Sequence, residues 1–175
     1  MLEFSSINIA LRFDAYWEPS PGHIVETIVT HNDVIRSSNS VWWGKFGSGS
    51  SKQKLDLLQS QIKDNIETYV YLFTNSPYDK CYVAKLLGIT DNFNKVEEDL
   101  IPHYYRREAK SYSLFFKFNY FREVSRYEAL NNLRLASKPN VADSLENAFR
   151  GSTSRFYVIS HDKDIENKIL GLDQD

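Results

Sequence analysis

Residues 111–124 read SYSLFFKFNYFREV, a long run of aromatic side chains that partly alternates with polar ones. Phenylalanine and tyrosine are enriched in strands, and an alternating pattern is typical of a strand packed against a core. The run therefore predicts a central β-strand. Its phenylalanines are most simply explained as packing within the sheet, not as a binding site.

Shorter strand patterns lie on both sides of this run. Residues 68–73 (TYVYLF) and 81–89 (CYVAKLLGI) are separated by turn residues and predict an antiparallel hairpin. Residues 6–13 (SINIALRF) alternate with the period of a half-buried strand. Two further strands are predicted at residues 41–46 (VWWGKF) and 155–160 (RFYVIS).

Helical patterns separate these strands. We expect a helix from residue 23 to about residue 37, a helix of about four turns capped by Ser50 or Ser51 after a Gly/Ser loop, and short helices at 127–135 and 143–149. The predicted class is α+β, a small open β-barrel or curled mixed sheet of about six strands flanked by short helices. We expect one domain spanning residues 1–175, with a peripheral charged tail at about 162–175.

The composition excludes several classes of protein. The 175-residue chain is 42% hydrophobic and 14% aromatic, with a formal net charge of -2. That charge argues against a broad, positively charged surface that binds polyanions, but it is compatible with a local basic patch. Cys81 is the single cysteine, and the sequence holds neither a membrane-spanning apolar run nor a signal peptide. We therefore expect a cytoplasmic protein without an internal disulfide and without a membrane partner.

Several short motifs resemble the YTH domain. Residues 37–42 (SSNSVW) precede a Gly/Ser loop, a Leu-Asp helix and a hairpin, as in that family. Residues 115–124 (FFKFNYFREV) are followed by a Leu-Arg-Leu turn at 133–135 and by Lys138-Pro139. The similarity covers roughly residues 35–143, and the order of elements also resembles the EVE domains. Both families belong to the PUA-like superfamily, so the resemblance implies a PUA-like fold.

The resemblance also implies a function. YTH and EVE-like domains bind a flipped-out modified base, N6-methyladenine or a modified cytosine, in an aromatic pocket. Their prokaryotic relatives occur with modification-dependent restriction systems. The implied protein is a non-catalytic binding domain that needs no cofactor. Its implied partners are DNA or RNA carrying a modified base and an effector protein of a restriction or defence system.

The resemblance and the residue chemistry select a set of site residues. Trp42 matches the tryptophan that opens the YTH pocket, and tyrosines stand where the family has its second tryptophan. Because Trp42 and Trp43 are adjacent on a predicted strand, we expect one in the core and the other exposed or in a pocket. The expected base-binding residues are Trp42, Trp43, Ser38, Asn39, Tyr104, Tyr105, Tyr112 and Asn75, and the expected phosphate-binding residues are Arg106, Arg107, Lys110 and Lys52.

Two other functions stay open at this point. One is a small nucleotide-ligand sensor or hydrolase whose cleft is lined by His31, Asp33 and the Gly/Ser loop at 47–51. The other is a protein-interaction module that uses exposed aromatic side chains. The sequence has no GxSxG or Walker spacing and no second ligand set for a metal. Cys81 lies among apolar strand residues, which predicts a buried and unreactive thiol.

Overall fold

The structure, a computed structural model, describes residues 6–47 and 51–172. The described chain divides into two compact units whose segments alternate along the sequence. Unit 1 contains residues 6–13, 69–83 and 122–172, and unit 2 contains residues 14–47, 51–68 and 84–121. The expectation that residues 1–175 form one domain stays a prediction.

Helices and strands occur in both units, which confirms the mixed α+β class. The strands, in chain order, are β1 Asn8–Phe13, β2 Tyr16–Ser20, β3 His23–Glu26, β4 Val41–Lys45, β5 Tyr69–Thr74, β6 Cys81–Thr90, β7 Leu114–Phe118, β8 Arg122–Val124, β9 Leu133–Leu135 and β10 Arg155–Ser160. The helices are α1 Thr27–Ser38, α2 Lys52–Lys63, α3 Arg126–Asn132, α4 Ser144–Ala148 and α5 Lys163–Leu170, and short 3₁₀ helices cover Phe93–Lys95, Glu98–Leu100, His103–Tyr105 and Ala109–Ser111. A small open barrel stays a prediction.

Unit 1 is built around β1, which has a strand on each side. β1 pairs parallel with β5 and antiparallel with β10, and β10 pairs with β9. Asn8 and Ala10 are buried, as are Ile9 and Leu11 on the other face, so the strand is not half-buried as predicted. The Asn8 amide tolerates burial because its Oδ1 accepts from the Tyr69 N–H (2.9 Å) and its Nδ2 donates to the Glu166 carboxylate (3.2 Å).

The predicted hairpin of β5 and β6 is confirmed. The two strands are neighbours in the sheet, and the Thr74 N–H donates to the Lys80 carbonyl at 3.1 Å. In unit 1 the first residues of β6 pair with β8, and in unit 2 its last residues pair with β7.

The centre of unit 2 is β7, which pairs antiparallel with β4 and with the end of β6. This confirms a central strand at residues 114–118, where Phe115, Phe116 and Phe118 are fully buried. The predicted run of 111–124 is nevertheless two strands, because residues 119–121 leave the ladder before β8 begins in unit 1. Aromatic content continues through that break, so the sequence pattern does not mark it.

The segment before α1 differs most from the prediction. The sequence predicts a helix that begins at residue 23, whereas β2 and β3 form an antiparallel hairpin and α1 begins at Thr27. Gly22 has φ 77, a left-handed conformation that glycine adopts easily, and its N–H donates to Glu18 Oε1 at 2.8 Å. These contacts close the turn between the two strands.

Other local expectations fare better. Ser51 caps α2 by accepting from the Lys54 N–H, as predicted for Ser50 or Ser51. Helix α4 and strand β10 lie where the sequence predicts them. The helix predicted at 127–135 is shorter, because its last residues form β9.

The charged tail expected at about 162–175 contains helix α5 instead of a peripheral segment. Its Ile169 and Leu170 are buried in the apolar core of unit 1. Asp162 caps the helix by accepting from the Asp164 and Ile165 N–H groups. Within the described ranges 6–47 and 51–172, no helix is both long and apolar enough to cross a membrane.

Candidate functional site

The aromatic residues selected from the sequence meet around Tyr105 in unit 2. Trp42 is only 5% exposed and packs with Tyr105 and Phe115 in an apolar cluster. Its indole Nε1 donates to the Glu97 carboxylate, and this bond lowers the pKa of Glu97. The Lys117 ammonium lies 5.5 Å from the centre of the indole ring. Trp42 is therefore enclosed, with no free face for a base.

Trp43 points to the opposite face of β4 and is also 5% exposed. It stacks on the imidazole of His31 with 4.3 Å between ring centres, and Phe118 and Phe121 lie 6.2 and 5.9 Å away. The expectation that one tryptophan would be exposed or in a pocket is wrong, because both faces of β4 are covered. Both tryptophans stabilise the unit and position their neighbours.

A buried hydrogen-bond network links His31 to β4. Nδ1 of His31 donates to the Thr27 carbonyl at 2.6 Å, which leaves Nε2 to face the Tyr105 hydroxyl at 3.0 Å. The Tyr105 hydroxyl accepts from the Gly44 N–H at 3.3 Å, and its single proton can be donated to either of two acceptors, His31 Nε2 or the Trp42 carbonyl at 2.9 Å. Burial lowers the pKa of His31 to about 4 and raises the pKa of Tyr105. His31 is thus a buried, neutral structural residue, which disfavours its use as a general base.

A cleft of about 420 Å³ lies beside helix α1, within the volume range of small-ligand sites. The lining residues come from β3, α1 and the 3₁₀ region: His23, Val25, Thr30, Asp33, Val34, Ser37, Asp99, Pro102, His103, Tyr104 and Arg106. Tyr104 is half-buried, and its ring lies 4.8 Å from the Tyr105 ring and 6.3 Å from the His31 ring, edge-on in both cases. Burial raises the pKa of Tyr104 to about 12. The tyrosine ring is therefore a fixed, neutral aromatic wall.

Charged groups of both signs line the same cleft. Nε and Nη2 of Arg106 both donate to the Ile101 carbonyl, at 3.3 and 2.9 Å, which orients the guanidinium. A guanidinium has five N–H donors, so these two bonds leave others for a ligand. Asp33 and Asp99 are exposed carboxylates on the lining, and Asp33 also pairs with Arg36 at 3.5 Å. The cleft thus offers an aromatic wall, anion-binding donors and acceptors within one small volume.

Comparison with known families adds an independent observation. A family model described as Pua-like matches residues 20–149, most of the chain. The chain belongs to the Pua-like family. Comparisons with curated proteins and with solved structures gave no match. PUA-like domains commonly bind RNA or DNA and are generally non-catalytic.

The Pua-like match includes the cleft and the residues around Tyr105, and it confirms the superfamily that the sequence motifs resemble. Of the predicted site residues, Tyr104 and Arg106 line the cleft together. Ser38 ends α1, and Asn39 caps it with φ 68; both are exposed next to Ser37 of the lining. These residues of the Pua-like chain are placed where a ligand can reach them.

The remaining predicted residues do not line the cleft. Tyr112 is half-buried and packs on exposed Phe46, with 3.9 Å between ring centres, and burial raises its pKa. A Cβ at Gly44 would lie 2.0 Å from the Tyr112 ring, so only glycine fits there. Arg107, Lys110 and Lys52 are exposed in unit 2, and Asn75 follows β5 in unit 1. Of the predicted Gly/Ser loop, residues 48–50 lie outside the described chain.

Sequence reasoning missed the contribution of β3 to the cleft. Val25 and His23 line it, and Trp17 lies opposite Val25 in the β2–β3 ladder. The signal was the apolar residues on both sides of the Pro21-Gly22 turn, which are typical of a hairpin. The prolines in this segment are equally typical of a loop, so the pattern does not distinguish a loop from a hairpin.

Metal binding and cysteine reactivity can both be compared with the structure of this Pua-like chain. Across residues 6–47 and 51–172, no group of three or more His, Cys, Asp or Glu side chains is placed to hold a metal ion. Cys81 is fully buried, and burial raises the pKa of its thiol. The prediction of a buried cysteine is confirmed, and a neutral thiol is a poor nucleophile.

Proposed function

We propose that this Pua-like chain is a non-catalytic nucleic-acid-binding domain that holds an unpaired base in the cleft beside α1. The observation that carries the proposal is the half-buried Tyr104 ring, which lines the cleft and packs against Tyr105 with 4.8 Å between ring centres. A base that leaves its own stack regains about 1–3 kcal/mol against such a ring. Family membership points to the same class of ligand.

The base is a modified one of the kind that YTH and EVE-like domains bind, N6-methyladenine or a modified cytosine. Support comes from the exposed carboxylates of Asp33 and Asp99, which accept hydrogen bonds from exocyclic amino groups. Adenine, cytosine and guanine carry such groups, whereas thymine and uracil do not, so the carboxylates favour an amino-bearing base, and the modification itself is proposed from the resemblance to YTH and EVE-like domains. Ser38 and Asn39 are further residues that hydrogen-bond to the edge of the base. The proposed protein partner is an effector of a restriction or defence system.

The phosphate contacts come from Arg106 first, with Arg107 and Lys110 as exposed neighbours. A guanidinium binds phosphate through paired N–H groups, and Arg106 is already oriented by Ile101. Since few cations contribute, binding has a short footprint and a shallow salt dependence. Trp42 and Trp43 act as positioning residues that hold β4 and Tyr105.

A binding screen tests the proposal. Fluorescence anisotropy would compare short single- and double-stranded RNA and DNA, with and without N6-methyladenine or 5-methylcytosine, at about 50 and 200 mM salt. We expect saturable binding that is tighter for a modified strand. Absence of binding to every oligonucleotide at low salt contradicts the proposal. Equal affinity for modified and unmodified strands rejects only the proposal that the domain recognises the modification.

Replacing Tyr104 by alanine is expected to weaken binding by about 1–3 kcal/mol, about fivefold to 150-fold in Kd, because the stacking wall is lost. The Tyr104→Phe variant keeps the ring and is expected to bind within about threefold of the wild type. Tyr127→Ala is the matched control, since Tyr127 is 78% exposed in unit 1. Equal losses for Tyr127→Ala and Tyr104→Ala exclude the cleft as the specific site.

Replacing Arg106 by glutamine is expected to reduce the slope of log Kd against log salt by about 1, the change for one lost phosphate contact. Arg150→Gln is the control, because Arg150 is an exposed arginine of unit 1. The measurement is a salt titration of oligonucleotide affinity for the wild type and both variants. If the slope is unchanged for Arg106→Gln, Arg106 does not contact a phosphate.

A second candidate is a sensor of a free nucleotide, favoured by the small volume of the cleft and its mixed charge. The two candidates differ in how affinity depends on ligand length. A sensor binds a mononucleotide as tightly as an oligonucleotide containing it, whereas the proposed domain gains affinity from the flanking phosphates and bases.

A further inference from the structure

We propose that Trp17 stacks on the nucleotide next to the one held in the cleft, so that the ligand is a single-stranded segment of at least two nucleotides. This inference rests on the proposed function and adds a second aromatic contact to it. Of the three tryptophans of the chain, Trp17, Trp42 and Trp43, only Trp17 is substantially exposed, at 43%. Nothing in the motif pattern singled it out.

The hairpin register places Trp17 beside the cleft. Trp17 lies directly opposite Val25 in the antiparallel β2–β3 pair. Residues that are directly opposite in such a pair point to the same face, and so do residues two apart on one strand. Val25 and His23 both line the cleft, so the Trp17 side chain shares the face that the cleft uses.

The hairpin is fixed to helix α1. Thr27 begins the helix, and its Oγ1 donates to the Asp14 carbonyl at 2.6 Å. The Thr27 N–H donates to the Ala15 carbonyl at 3.0 Å, one residue before β2 begins. Helix α1 also carries His31, whose ring lies edge-on to the Tyr104 ring with 6.3 Å between ring centres. The helix thus contacts both the base of the hairpin and the aromatic wall of the cleft, so the two rings are held on the same support.

The ligand that fits this arrangement is an unpaired strand. An exposed indole offers a flat face on which any base stacks, without regard to sequence. A base inside a duplex already stacks on its own neighbours, so the second contact gives no comparable gain there. Binding should therefore depend on the length of a single strand, and a complementary strand should compete with it.

The experiment measures affinity for a mononucleotide and for a single-stranded hexanucleotide that contains it. The proteins compared are the wild type, Trp17→Ala, Trp17→Phe and Tyr104→Ala, with Tyr127→Ala as a surface control and circular dichroism as a check of folding. Trp17→Ala is expected to weaken hexanucleotide binding about tenfold while leaving mononucleotide binding unchanged. Trp17→Phe keeps an aromatic face and is expected to retain most of the affinity.

Intrinsic fluorescence gives a second readout. Trp42 and Trp43 are buried, so quenching by the bound hexanucleotide should come from Trp17 and disappear in Trp17→Phe. If Trp17→Ala binds the hexanucleotide like the wild type while Tyr104→Ala loses it, this inference fails and the proposed function stands. If the wild type binds neither ligand, both fail. Equal losses of mononucleotide and hexanucleotide affinity in Trp17→Ala overturn the assignment to a neighbouring nucleotide.

Discussion

Replacing Trp42 by alanine is expected to lower the free energy of unfolding by about 3–5 kcal/mol, the usual range for a buried aromatic residue. Trp42 is almost completely enclosed, and its indole N–H bonds to Glu97. The substitution leaves a cavity beside Tyr105 and Phe115 and removes that hydrogen bond. Urea unfolding followed by circular dichroism measures the loss as a shift of the midpoint.

The same substitution at Trp17 is the matched control. Trp17 is 43% exposed, so Trp17→Ala is expected to reduce the free energy of unfolding by about 1 kcal/mol or less. The sequence resemblance assigned Trp42 to a base pocket, and that assignment makes the opposite prediction. A Trp42→Ala protein that is as stable as the wild type but no longer binds oligonucleotides contradicts the packing role.

The stability of the protein is expected to fall by about 3 kcal/mol as the pH is lowered from 6.5 to 4, through His31 alone. Burial lowers the pKa of His31 to about 4 in the folded protein, against an ordinary value of 6.5 in the unfolded chain. Between these values the unfolded chain binds the extra proton and the folded protein does not. The free energy of unfolding therefore rises with pH across this window. The stability that the neutral His31 contributes is present above pH 6.5 and is lost as the pH falls to 4.

The His31→Phe variant isolates this effect. Phenylalanine keeps a ring against Trp43 but does not titrate, and Tyr105 retains the Trp42 carbonyl as an acceptor. The remaining histidines, His23, His103 and His161, are exposed and are present in both proteins. Urea unfolding at several pH values should give a steeper pH dependence for the wild type than for His31→Phe. Parallel curves for the two proteins contradict a buried, neutral His31.

Local sequence patterns predict much of the secondary structure. The hairpin of β5 and β6, helix α2 and strand β10 each combine a clear periodicity with turn or capping residues at their ends. Local patterns do not predict the β2–β3 hairpin, because Pro19, Pro21 and Gly22 are as typical of loops as of edge strands. β1 is buried on both faces because segments distant in sequence pack on it, such as helix α5, whose Glu166 accepts a hydrogen bond from Asn8.

The candidate site was predictable in part. The segment Tyr104-Tyr105-Arg106 combines aromatic and basic side chains, and two of its residues do line the cleft. What the sequence does not reveal is which aromatic side chains are covered. Trp42 and Trp43 point to opposite faces, as any adjacent strand residues do, but each face is closed by residues from distant segments, such as Phe115 and His31.

Cross-linking tests most directly whether the cleft beside α1 holds the nucleic acid. A short single strand carrying N6-methyladenine would be irradiated with the protein, and the attached peptides identified by mass spectrometry. We expect the cross-links to fall on Tyr104 and on the β2–β3 hairpin that contains Trp17, and to decrease in Tyr104→Ala. Cross-links confined to unit 1, for example at exposed Tyr127, would contradict the account.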